Sequence, residues 1–170
     1  MLRILGAVLL LAGSAALGLA AVRRLEGRVT ALRALTESLD RMERELEFRL
    51  PPMKELLGET ARKAREPAAG FFRACAEGVD KLQGQPLSEL WGQMAREKLP
   101  ALKTCDLEAL LSVGAILGRY DAEGQRKAMS AARAELAGFL SAAVEERRRQ
   151  GRVYGALGMA AGVFLVILLF

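Results

Sequence analysis

Histidine is absent from the 170-residue chain, and cysteine occurs only at Cys75 and Cys105. Without histidine the chain lacks the commonest general base and the usual partner of a serine or cysteine nucleophile. Two thiols outside metal-ligand spacing, with no imidazole, exclude a zinc site. They are read as reduced, semi-buried thiols of a cytoplasmic domain, with a single disulfide as the other reading. Aromatics make up only 5% of the residues, and no alternating β-branched run marks a strand. No GxxxxGK[ST] loop is present to cradle phosphates. Carboxylates are plentiful, but they fall beside Arg and Lys on faces that read as solvated. The chain is therefore read as non-enzymatic, with no catalytic, metal-binding or cofactor-binding residue.

Charge is missing from both ends. No charged residue lies between Arg3 and Arg23 or after Arg152, and every acidic residue falls between Glu26 and Glu146. This segregation explains a positive mean hydropathy of +0.17 in a chain with 26% charged residues. Residues 4–22 form an apolar run that would span about 29 Å as a helix, the thickness of a bilayer's hydrocarbon core. Residues 153–170 form a second run. In lipid such a run must satisfy its own backbone and so must be helical. The sequence thus predicts an N-terminal transmembrane helix over 1–22, a central domain over 23–152 and a C-terminal transmembrane helix over 153–170. A competing reading makes the first run a cleaved signal peptide, with a mature N-terminus near Ala21 or Val22. The domain would then be an extracytoplasmic scaffold or sensor on a C-terminal anchor.

The basic residues set the expected orientation. Arg23, Arg24 and Arg28 follow the first run, and Arg147, Arg148, Arg149 and Arg152 precede the second. The positive-inside rule then puts the central domain in the cytoplasm. Without these seven arginines the central region carries 17 basic and 20 acidic residues. The high pI therefore belongs to the flanks and points to anionic lipid head groups rather than nucleic acid. Gly158 and Gly162 have the GxxxG spacing that lets membrane helices approach closely.

The central region reads as all-α. Leu25, Val29, Leu32, Leu35, Leu39, Met42 and Leu46 recur at steps of three and four, one stripe on a helix. Pro51 and Pro52 end that helix and open the next. Pro67 opens a third, with Phe71, Phe72, Val79 and Leu82 as core residues, and the Gly84-Gln85-Pro86 turn stops it. A fourth begins around Ser88 and carries Trp91. A fifth begins near Asp106, whose carboxylate meets free N–H groups at the helix start. Gly118 is read as its stop, and Asp121 as the N-cap of a sixth helix. That helix presents Met129, Ala132, Leu136, Phe139, Leu140, Ala143 and Val144 on one side. The expected fold is a compact bundle of about six helices, flanked by the two transmembrane helices.

The segment from Trp91 to Gln125 resembles the stage III sporulation protein AB family. Asp106-Leu107-Glu108, Leu117-Gly118, Asp121, Gln125 and Lys127 carry the resemblance, in an L-G-x-x-D-x-x-x-Q pattern between two helices. The hydrophobic ends and the overall size agree as well. The resemblance implies an endospore-forming bacterium and a channel-like complex between mother cell and forespore. It also implies a two-pass protein of the mother-cell membrane. Its soluble domain would be similar to those of F-family platform proteins of type II secretion. The implied partners are a secretion-type ATPase, stage III sporulation protein AA, and the other stage III channel proteins, with homo-oligomers also expected. Leu117, Gly118, Asp121 and Gln125 are read either as helix capping or as a partner contact.

Overall fold

A computed structural model describes the backbone of residues 2–48, 51–82, 84–117 and 122–169. It describes the side chains of 20, 22–48, 51–82, 84–117, 123–151 and 153. Two long helices frame the chain: α1 (Leu2–Phe48) and α6 (Ala122–Leu169). Four short ones lie between them in sequence: α2 (Met53–Lys63), α3 (Ala68–Val79), α4 (Leu87–Lys98) and α5 (Thr104–Ile116). No strand occurs among the described residues.

The length of α1 follows from its composition. Ala, Leu, Arg and Glu dominate, no proline interrupts, and 47 residues at about 1.5 Å each give a rod near 70 Å. Its apolar stripe faces inward: Val29, Leu32, Leu35, Leu39, Met42 and Leu46 are all buried, and Leu25 is half-buried. On α6, Met129, Ala132, Leu136 and Ala143 are buried, with Phe139 and Leu140 packed at the margin. Val144 departs from the expected pattern and is 40% exposed. A step of one residue turns about 100° around the axis, so Val144 falls off the seam that Ala143 closes.

The two rods run antiparallel. Glu26 pairs with Arg147, Arg28 with Glu146, Asp40 and Glu43 with Arg133, and Glu47 with Arg126. As the number rises along α1 it falls along α6. One end of the pair, the base, therefore holds Glu26 and Glu146, and the other, the distal end, holds Glu47 and Arg126.

The short helices pack on this pair in sequence order: α2 on α3, α3 on α4, α4 on α5 and α5 on α6, with α2 and α3 also touching α1. Prolines and one glycine set the corners. Pro52 precedes α2, Pro67 precedes α3 and Pro86 precedes α4. Gly84, at φ 95°, takes a backbone conformation that a side chain would disfavour. At the centre Phe71, Phe72 and Trp91 are fully buried and meet edge-to-face, with Phe71 and Trp91 centroids 4.8 Å apart. Trp91 Nε1 donates to the Leu110 carbonyl at 2.9 Å. Its indole lies against Gly114, where a Cβ would come within 2.4 Å of Trp91 Cδ1. The α4–α5 contact thus depends on the absence of a side chain at 114.

Among the described residues, no helix is long and apolar enough to cross a membrane. Most side chains of the two apolar runs, and with them Gly158 and Gly162, lie outside the described residues.

Candidate functional site at the base of the bundle

The charged centre of the fold is an ion-pair junction that joins α1, α5 and α6. Arg28 rises from α1 one turn before Leu32, on the buried face, and is 6% exposed. Asp106 sits in the first turn of α5 and is 0% exposed. The two meet side-on: Arg28 Nε and Nη2 each donate to one Asp106 oxygen at 2.8 Å. A guanidinium fork matches a carboxylate in this way, and the charge-assisted bonds are the strong kind. The third nitrogen, Nη1, donates to Glu146 Oε2 of α6 at 3.2 Å.

Helix-end chemistry places Asp106. Lys103 is the residue preceding α5, and its backbone N–H donates to Asp106 Oδ2 at 2.9 Å. Asp106 therefore reaches back from the third helical position rather than capping from outside, and its charge faces the positive end of α5. The Lys103 side chain closes the junction from the solvent side, donating to both Glu146 oxygens at 2.9 and 3.1 Å. Next to it on the same helix pair, Arg147 donates to Glu26 at 2.8 Å.

Burial pushes the Asp106 carboxyl up. Hydrogen bonds from Arg28 and the Lys103 N–H, with the Arg28 charge, more than offset this and hold it below the usual carboxylate range. The same bond to Asp106 outweighs desolvation at Arg28 and holds its guanidinium above the ordinary arginine value. Both groups stay charged. Each is the other's principal hydrogen-bond partner. The pair locks three helices in one relative position, because losing either partner leaves a buried charge uncompensated.

This corrects the sequence reading of Arg28, which belongs to the core and not to the basic flank. The signal was present: Arg28 lies on the stripe, four residues before Leu32. Its partner Asp106 was marked as a helix-start carboxylate, but nothing in the sequence tied it to a residue 78 positions away. The remaining flank arginines with described side chains, Arg23, Arg24, Arg147, Arg148 and Arg149, are exposed. The Arg152 side chain lies outside the described residues.

Of the motif residues, Leu117 is buried, and its N–H closes α5 by bonding to the Val113 carbonyl at 3.0 Å. Gln125 is half-buried in the first turns of α6. Gly118 and Asp121 lie outside the described residues. Leu117 and Gln125 belong to the distal α5–α6 connection, away from the Arg28 junction, whereas Asp106 of the same family-like segment lies in it.

Both cysteines are free thiols, Cys75 buried and Cys105 exposed. Burial pushes the Cys75 thiol up to about 12, which makes it inert. Among the described residues no group of acids and thiols is placed to hold a metal ion.

Comparison with known proteins gives one consistent result. The family model for stage III sporulation protein AB matches residues 3–170. Stage III sporulation protein AB of Bacillus subtilis (strain 168) is 24% identical, over 99% of this chain and 99% of that protein. A solved structure of a stage III sporulation protein AB superposes with a TM-score of 0.64 at 22% identity. It covers 72% of this chain and 98% of its own. At that identity the superposition bears on the fold, and the full-length family match bears on the lineage. The chain belongs to the stage III sporulation protein AB family.

Proposed function

We propose that this protein is a two-pass membrane platform of a sporulation channel complex. Its bundle faces the mother-cell cytoplasm and docks a secretion-type ATPase, stage III sporulation protein AA. Family membership over residues 3–170 carries the reading and suggests the role in sporulation. Further support comes from the helices themselves. Each apolar run is continuous in backbone with a bundle helix, 4–22 with α1 and 153–169 with α6. Counted onward in sequence beyond the Glu26–Arg147 pair, both runs begin within two turns of it. Two membrane segments entering from one side would do the same. The exposed arginines at the base supply the positive charge expected at an anionic cytoplasmic leaflet.

The reading assigns the parts distinct work. Membrane segments anchor, the rigid base holds them in register, and the distal end meets the ATPase. The test is protease accessibility of the bundle in intact protoplasts, with lysed protoplasts as control. Protection until lysis is the expected result. Digestion of intact protoplasts would place the bundle outside the cell, beyond an ATPase's reach, and would favour an anchored extracytoplasmic scaffold.

A further inference from the structure

A groove of about 540 Å³ runs along the outer face of the α2–α3 hairpin, with Gly58, Ala61 and Ala76 as its floor. Its place in the fold is telling. Lys54 at the start of α2 bonds to Asp80 at the end of α3, and α2 begins just after the distal end of α1. The groove thus lies on the hairpin that follows the distal end of α1, away from the base of the bundle.

Gly58 has no reason within the fold to be glycine. It sits in the middle of α2, where glycine weakens a helix, and a Cβ built there meets nothing within 4 Å. Gly114 forms the contrast, since a Cβ there collides with Trp91. A helix-weakening residue facing open space leaves room for something outside the chain.

The rim states the charge of that occupant. Four cations line it, Lys54, Arg62, Arg73 and Lys81, against the carboxylates of Glu77 and Asp80. They stand out on a region whose residues, apart from the flank, are acidic on balance. Asp80 is already engaged by Lys54, whereas Lys81 has no ion-pair partner among the described residues. Arg62 and Arg73 make only exposed pairs, with Glu59 and Glu66, which are easily redirected. The carboxylates within the rim disfavour a polyphosphate, and the apolar floor disfavours a purely ionic partner. A shallow floor of small residues between two helices suits a third helix, which can come within about 8–10 Å axis to axis.

We infer that the α2–α3 groove is a docking site for an acidic amphipathic helix. That helix carries a small or apolar stripe on the Gly58–Ala61–Ala76 floor and carboxylates against Arg62, Arg73 and Lys81. The inference rests on the platform reading, in which the docked ATPase supplies that helix.

The test uses the full chain in nanodiscs and two probes. One is the purified secretion-type ATPase, and the other is a synthetic helical peptide with Leu and Glu at three- and four-residue spacing. Gly58→Leu fills the groove, and Arg73→Glu with Lys81→Glu inverts its rim. Gly58→Leu is expected to melt no lower than wild type, because the space is open. Each variant is expected to weaken binding of both probes about tenfold or more, as loss of a central contact does. Wild-type binding is expected to fall with salt, and binding to the inverted rim less so. If the ATPase binds wild type and both variants equally, the groove is overturned and the platform reading stands. If the ATPase binds none of them, the platform reading fails, and the peptide alone decides the groove. Peptide binding that Gly58→Leu abolishes supports the site, and absent or unchanged peptide binding overturns it.

Discussion

At residue 106 a single carboxylate holds two duties that are separable by mutation. It neutralises Arg28 and it accepts the Lys103 N–H at the start of α5. Asp106→Asn keeps the shape and removes the charge, leaving a buried guanidinium with only Glu146 beside it. The expected loss is about 3 kcal/mol at neutral pH, the lower part of the range for a broken buried pair. Its pH dependence has a defined sign. The Asp106 carboxyl is held low in the fold, so its contribution is complete above the unfolded value of about 3.9 and fades as pH falls below it. Thermal melts of the detergent-solubilised protein should therefore show wild type well above Asp106→Asn at pH 7. The gap should narrow towards pH 3, and a constant gap would mean that charge is not what Asp106 contributes. Replacing both partners, Arg28→Met with Asp106→Leu, should cost less than either single change, since no charge is then left unpaired.

At the scale of elements, glycine 114 decides whether α4 and α5 can approach. Gly114→Ala puts a methyl where Trp91 already sits, and strain of this kind costs about 1–3 kcal/mol. Trp91 is the only tryptophan, so near-ultraviolet circular dichroism and fluorescence would report the displaced ring directly. An unchanged spectrum with an unchanged melt would overturn the claim. The same scale shows what sequence could reveal. Helix boundaries were legible because prolines at 52, 67 and 86 break the chain mechanically, wherever the helices later pack. The α1 stripe was legible because its spacing is periodic. The closeness of Trp91 to Gly114 was not, because an isolated glycine in a helix looks like any other. Nor was the Arg28–Asp106 pair, because nothing local marks a contact between distant turns. Arg28 was placed with its neighbours Arg23 and Arg24, although its phase on the helix put it with Leu32. The motif at Leu117 and Gln125 was legible as a family signature, yet its spacing gave no hint that the buried ionic centre lies at the opposite end of α5.

For the whole molecule, the platform reading makes orientation in the membrane depend on the flank arginines and not on Arg28. Replacing Arg23, Arg24, Arg147, Arg148, Arg149 and Arg152 by Gln removes the positive charge between the bundle and both apolar runs. The bundle should then be digested in a fraction of intact protoplasts, since the bias that retains it inside is lost. Complete protection in that variant would mean that these charges do not set the topology.

The long helices carry a mechanical consequence. All of α2–α5 is an insertion between two unbroken rods, so only two covalent routes lead from the distal end back to the apolar segments. A torque that reaches the distal end of α1 or α6 meets no loop along that rod. It arrives as twist or axial slip of one rod against the other. Arg28 is where both rods and α5 share one buried guanidinium, so slip of either rod at that depth must break its bonds to Asp106 or Glu146.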